Sequence, residues 1–345
     1  MRERVRIFVA ACFYYSGLVK LVHWLKQHSG QHQPLIILNY HRATGKNLRQ
    51  QMHFLHRYYR ILHLEAALEE LYTEHLVGTQ AADKRMPLVL TFDDGYHDNY
   101  TYGFKLVREL NIPITIFLIP GYIESGEHFW WLEGRRLVKR AQVEQVIIEG
   151  QQYLLNQIKE RTRLERAIDT RLRNSASVVE REELLSTIRQ SLKVDTFNNV
   201  EDEASLPLTW AEVHKLEESG LVSFGAHTMY HPILSYLSDS EEVKREVCEC
   251  RSVLEQRLGH PVLTFAYPIG KSEHIGKEGL QAVKEANYKW ALTTIEGVNT
   301  PQSDPYLLNR LPGDVEQHWL VMASELAGLL GIFSRIRKHN ERSFK

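Results

Sequence analysis

The strongest constraint on how this chain folds is a repeated pattern. Short, almost uninterrupted apolar runs rich in Val, Ile, Phe and Thr occupy residues 35–40, 88–92, 114–119, 221–226, 262–267, 290–293 and 307–311, separated by stretches of helical periodicity. Runs that are apolar on both sides belong to strands buried on both faces, and strands alternating with helices belong to a parallel sheet with crossover helices. Helix boundaries are legible too: Thr209 with Glu212 and Ser238 with Glu241 read as capping boxes, and Gly259 followed by Pro261 closes the second helix. Seven such strands predict a closed or nearly closed (β/α) barrel, with a doubly wound open sheet as the alternative. Residues 130–202 break the rhythm: they are highly charged, read as helical over 135–153, 155–172 and 179–192, and form an insertion within one domain.

Composition narrows the function. A 345-residue chain with 43% apolar and 25% charged residues is neither disordered nor low in complexity. Its net charge of -1 lacks the basic field that phosphate binding needs, so no nucleic-acid partner is expected. Cys12, Cys248 and Cys250 imply no disulfide framework. Charge is concentrated at the ends. Residues 1–30 carry five bases against Glu3, and residues 334–345 carry Arg335, Arg337, Lys338, Arg342 and Lys345 against Glu341, so each end is +4. Next to these lie an apolar stripe of Ile7, Ala11, Tyr14, Leu18, Leu21 and Leu25 and an apolar segment over 319–333, too short or too interrupted to span a bilayer. They are expected to be amphipathic helices, either docked on the domain or lying on an anionic membrane surface. A signal peptide fits the first end less well, because no small-residue cleavage site follows at a sensible distance, and Cys12 follows too short an apolar run for a lipoprotein box. The expected organisation is an N-terminal segment 1–33, a barrel 34–315 carrying the 130–202 insertion, and a C-terminal helix and basic tail 316–345.

Chemistry-bearing residues cluster at strand ends. Asp93 and Asp94, in Thr91-Phe92-Asp93-Asp94-Gly95, lie where a buried strand gives way to a loop, and such ends form the active-site rim of barrels and α/β sheets. Adjacent carboxylates push their pKa values apart unless a cation neutralises one, so a metal-bound aspartate beside a free, basic one is a natural division of labour. The same tripeptide is also an ordinary turn. His227 and His231, in His227-Thr228-Met229-Tyr230-His231-Pro232, follow another buried strand and converge on one ion if their loop begins a helical turn. Joined by an aspartate they make a two-His, one-carboxylate set with positions open to water and substrate. A pair of surface histidines among the chain's 17 is the alternative.

Taken together, TFDDG at 91–95 and HTMYHP at 227–232 resemble the first two signature motifs of polysaccharide deacetylases, the NodB-homology or carbohydrate esterase family 4 group. LNYHR at 38–42, FAYPIG at 265–270, ALTT at 291–294 and NRL at 309–311 extend the similarity over residues 34–315, outside the insertion. The resemblance implies an α/β fold, a deformed (β/α)7 barrel, here with a helical insertion and amphipathic terminal helices. It further implies hydrolysis of an N-acetyl group on a sugar with a divalent metal, most plausibly zinc. Asp94, His227 and His231 would be the ligands, Asp93 the base, and Ile269 would supply the backbone N–H that holds the oxyanion.

The chain departs from the family pattern twice. Ala266 stands where many members carry an arginine that orients the base, and Arg310 is the candidate substitute, or else part of a structural salt bridge. The Leu-x-His motif that supplies the general acid is missing; His41 is the replacement, or a buried structural histidine. His318 borders the C-terminal helix and is a weaker candidate, while His97, just after Asp-Asp-Gly, is expected to face solvent or else to contact substrate. Tyr96 and Tyr267 adjoin motif positions and are expected to contact substrate or to pack beneath the loop; Trp130 and Trp131 stack on a sugar or anchor the insertion. The expected function is a bacterial-type carbohydrate N-deacetylase acting on an exopolysaccharide, a cell-wall glycan or a lipid-linked saccharide, cytoplasmic or peripheral on the inner face of the membrane, with export left open. Alternatives are deformylation of a lipid-linked amino sugar, a catalytically silent carbohydrate-binding barrel, and a scaffold working through the insertion.

Overall fold

The computed structural model describes residues 2–28, 33–77, 83–194 and 202–330. Its main sheet is parallel and curled, built from β1 (Ile36–Tyr40), β2 (Tyr59–Ile61), β3 (Met86–Phe92), β4 (Ile114–Leu118), β7 (Val222–Ala226), β8 (Thr264–Ala266), β9 (Trp290–Leu292) and β10 (Leu311–Pro312), with the antiparallel pair β5 (Gln145–Ile148) and β6 (Gln151–Leu154) apart from it. The order is β10-β1-β3-β4-β7-β8-β9, and β2 pairs with the amino half of β3. The ends meet through one short segment. Leu308 exchanges backbone hydrogen bonds with Ala291 and Thr293 beside β9, while Leu311, three residues on, pairs with Leu38 of β1. This is the deformed barrel, not the open doubly wound sheet.

Alternation along the strands divides the apolar residues into two groups. Ile36, Leu38, Leu88, Leu90, Phe92, Ile114, Ile116, Val222, Phe224 and Phe265 face the surrounding helices, whereas Ile37, Val89, Phe117, Ala266 and Leu292 fill the barrel. The Thr209–Glu212 capping box forms as expected. The second expected box does not: the helix Ser240–Leu258 is capped by Asp239, one residue later, whose carboxylate accepts from Glu241 N–H, and the helix ends at Gly259 with φ 77°.

The insertion departs from an all-helical reading. The helix Trp130–Arg140 stops before a hairpin whose turn, Glu149-Gly150, has φ of 49° and 77°, the pair of left-handed residues a tight hairpin turn requires. Helices Ile158–Arg173 and Val178–Ser191 follow. Leu137, Val138, Val146, Tyr153, Leu164, Ile168, Leu185 and Ile188 give the insertion its own core, continuous with Tyr96, Ile119 and Tyr122 of the barrel.

At the N-terminus the expected continuous stripe is broken. Gly17, at φ 82°, separates Arg2–Tyr15 from Leu18–Gln27, and the two helices bend by 60°. Val19 and His23, not Leu21 and Leu25, point inward in the second helix. The first packs antiparallel on Trp319–Leu326, joined by Arg6 to Glu325 at 2.6 Å and by Tyr14 against the Trp319 ring. No single helix among the described residues is long and apolar enough to cross a membrane. The basic tail 334–345 lies outside the described residues.

Candidate active site

Strand alternation aims the first catalytic candidate. Val89 and Thr91 face the barrel interior, and Asp93, two residues on, continues that face because its N–H donates to Tyr40 O at 2.8 Å and extends the ladder with β1. The chain then reverses. Asp94 (φ 73°) and Gly95 (φ 69°) are both left-handed, which turns the second carboxylate away from the first. Asp-Asp-Gly is therefore a turn and a site at once.

His227 follows β7, and its N–H donates to Leu118 O at 2.9 Å. Its Nδ1 bonds the Ala266 carbonyl at 2.6 Å, fixing the ring and directing Nε2 toward Asp94 Oδ1 at 3.5 Å. His231 Nε2 lies 3.7 Å from the same oxygen. The expected helical turn is absent. Left-handed φ values at Thr228 (63°) and His231 (55°) fold the loop back instead, with Thr228 Oγ1 accepting from His231 N–H at 3.0 Å.

Asp94, His227 and His231 are buried, and one ligand atom from each lies within 4.8 Å of the others. Asp94 Oδ1 has no hydrogen-bond donor despite complete burial. A buried acceptor without a donor, facing two imidazoles, is costly unless a cation meets it. An ion about 2.0–2.2 Å from each ligand sets them roughly 3–4 Å apart, so these residues fit a divalent metal.

Arg310 reaches Asp93 from the closing segment of the barrel. Its Nη1 and Nη2 donate to Oδ1 and Oδ2 at 2.7 and 2.8 Å, while Nε donates to Thr293 O at 2.7 Å and Nη1 also meets Thr91 Oγ1. Arg310 is fully buried, with its guanidinium over the Phe117 ring of the inner face. Burial alone would raise the Asp93 carboxyl; Arg310, then His227 and His41, outweigh it and hold the group well below the usual carboxylate range. Asp94 is likewise lowered, because burial is outweighed by the imidazoles. Burial disfavours charge on His227, but the nearby Asp94 and Asp93 carboxylates leave it net raised. His231, buried and beside His227, is lowered to about 3.

Around this centre the structure sorts the other sequence candidates. His41 is exposed at the rim, not a buried structural histidine, and its charge acts on both aspartates. Ile269 is left-handed (φ 59°) and only half-buried; its carbonyl accepts from Thr294 Oγ1, and nothing among the described residues accepts from its N–H. Tyr267 is buried in the outer core and its hydroxyl donates to Tyr306 O at 3.2 Å, a consequence of continuing the outward face of Phe265. Tyr96 is buried beneath Arg42, which stacks 4.6 Å above its ring, and its hydroxyl accepts from Trp131 Nε1 at 2.7 Å. The tyrosine is thereby tied to packing.

Trp130 and Trp131 anchor the insertion to the metal-site loop. Trp130 Nε1 donates to His231 O at 3.0 Å, and the Trp131 ring lies 4.5 Å from the His231 ring. His97 pairs with Glu212 at 3.1 Å instead of facing solvent, and His318 caps the helix Trp319–Leu326. Glu246 escaped sequence reasoning. It is a buried carboxylate in a charged helix, and it accepts from Tyr230 N–H at 2.9 Å, beneath the His227–His231 loop. Glutamate at a helical core-facing position was the available signal.

Asp94, Thr228, His231 and Ile269 all adopt positive φ, and such backbone persists only where the surroundings over-determine it, commonly at active sites. A curled parallel barrel with a carboxylate and two imidazoles gathered at the carboxyl ends of its strands defines a metal-dependent hydrolase. A family model described as polysaccharide deacetylase matches residues 80–172 and 177–291, and the chain belongs to that family, hydrolases that remove N-acetyl groups from carbohydrates. A comparison with curated proteins finds no match. Among solved structures, the chain is similar in fold to the Streptococcus pyogenes deacetylase PplD in complex with acetate (17% identity, 84% of this chain and 96% of that one, TM-score 0.54). It is similar also to IcaB from Ammonifex degensii (16%, 85% and 97%, 0.52) and to the BpsB deacetylase domain from Bordetella bronchiseptica (14%, 82% and 96%, 0.52).

Proposed function

We propose that this protein deacetylates an amino sugar within a polysaccharide or a lipid-linked saccharide, with Asp94, His227 and His231 holding zinc and Asp93 acting as base. The observation that carries the reading is the separation of the two adjacent aspartates, Asp93 clamped by Arg310 and Asp94 facing both imidazoles. When bound, the ion would supply Lewis-acid polarisation to the amide and to the attacking water. The mixed nitrogen and oxygen donor set suits zinc.

Asp93 receives the water's proton. Both its oxygens accept from Arg310, yet each keeps a lone pair, and a carboxylate held this low stays anionic and passes its proton on readily. In this reading His41, exposed and within electrostatic reach of both aspartates, protonates the leaving amine. The free N–H of Ile269 is available to the oxyanion. Release of acetate from acetylated glucosamine oligomers, measured with zinc present, tests the reading: Asp93→Asn should lower kcat by about 10²–10⁴-fold while zinc stoichiometry persists. No acetate from any acceptor, together with formate from N-formyl sugars, would replace it by deformylation.

A further inference from the structure

The two N-terminal helices are apolar on both sides, and only one side is used. Inward, Ile7, Ala10 and Tyr14 pack on Trp319–Leu326, and Val19 and His23 pack on the barrel's outer helices and strands. Outward, Val5, Phe8, Cys12 and Tyr15 recur at helical spacing and are bare, as are Leu21, Trp24 and Leu25 in the second helix. Of the fourteen large apolar residues exposed among those described, six lie in this segment. Phe8 is 69% exposed and Trp24 52%.

We infer that these outward stripes dock the enzyme on an anionic lipid bilayer. Charge selects this occupant. Residues 1–28 hold Arg2, Arg4, Arg6, Lys20 and Lys26 against one acidic residue, Glu3; Arg6 is met by Glu325, while Arg4 and Lys20 stand exposed beside the apolar stripes. The partner helix Trp319–Leu326 leads toward a sequence with five further bases. A cationic helical pair presenting Phe, Tyr, Trp and Leu matches an anionic headgroup layer over acyl chains, where Trp and Tyr sit at the boundary. A second copy of this chain would set like charges against each other.

Shape favours lying on the surface. The helices have 14 and 10 residues, about 21 and 15 Å long at about 1.5 Å per residue. Neither alone covers a core of about 30 Å; only the pair together is long and apolar enough, and it is bent by 60° at Gly17. The inference concerns where the enzyme works and stands independently of the reaction it performs.

Cosedimentation of the full chain with vesicles tests it without any turnover. Binding is expected to phosphatidylcholine vesicles containing phosphatidylglycerol, to weaken with salt, and to fall by about tenfold or more in Phe8→Glu/Trp24→Glu. Both positions are solvent-facing, so circular dichroism and the melting temperature should stay unchanged and show that the variant is folded. Equal binding by the variant, or no binding by the wild type, would overturn the inference. So would a dimer in solution that the same substitutions dissociate, since that would give the face to a second copy.

Discussion

Asp93 and Arg310 are buried charges whose value depends on each other. Removing one partner leaves the other unpaired, so Arg310→Met should cost roughly 3–5 kcal/mol at pH 7 by chemical denaturation. The sign with pH follows from the lowered Asp93 carboxyl. The pair's stabilisation is fully present above the unfolded value of about 3.9 and is lost as pH falls toward the folded one. The difference between wild type and Arg310→Met should therefore shrink in acid; an unchanged difference would show that the arginine acts through packing. His41 offers the opposite case, an exposed side chain without packing duties. His41→Gln should reduce kcat by about 10²–10³-fold with melting temperature and zinc content intact, which acetate release and metal analysis would check. Sequence placed Asp93, Asp94, His227 and His231 at strand ends, because strand ends are readable from apolar runs. It left open whether Arg310 met Asp93, because that contact joins residues 217 positions apart in the chain.

At the scale of elements, the His227–His231 loop is held from three sides. Gly121, at the start of the helix Pro120–Ser125, accommodates Met229 O and the Tyr230 ring where a Cβ would collide with both. Because one obstacle is backbone, Gly121→Ala should displace the loop, costing about 1–3 kcal/mol and weakening zinc binding, as competition with a chromogenic chelator would reveal. On the second side stands Glu246, pushed up to about 7 by burial despite Arg181, with Glu242 raising it further. An acid raised on folding lowers stability as pH climbs from its unfolded value of about 4.3 through the folded one. Glu246→Gln keeps an acceptor for Tyr230 N–H without the charge, so its stability relative to wild type should improve across that interval and level off above it. On the third side, the insertion brings Trp130 and Trp131 onto His231. Its helices were legible, but its hairpin was not. Val146-Ile147-Ile148 is too short an apolar run to register against flanking charged helical sequence, and the Glu149-Gly150 turn is what decides the matter.

On the proposed reading, metal binding is coupled to the fold of the whole molecule. Asp94, His227 and His231 follow two strands separated by the entire insertion, so an ion held between them should stabilise the folded chain by about 4 kcal/mol at a thousandfold excess over Kd. Thermal melts after chelation and zinc readdition should show this concentration dependence, and His231→Ala should abolish it. The barrel itself was legible because parallel strands buried on both faces announce themselves. The terminal helices are only half legible: their apolar periodicity is visible, but the left-handed Gly17 that breaks them, and so decides which apolar residues remain outside, leaves no mark in that periodicity.

Arg310, the countercharge of Asp93, is carried by the segment that joins the two edges of the barrel. In chain order Asp93, Asp94, His227 and His231 all precede it. On the proposed mechanism, a chain shortened before Arg310 would therefore leave Asp93 without its countercharge, so the segment that closes the ring is also the one that completes the charge pair.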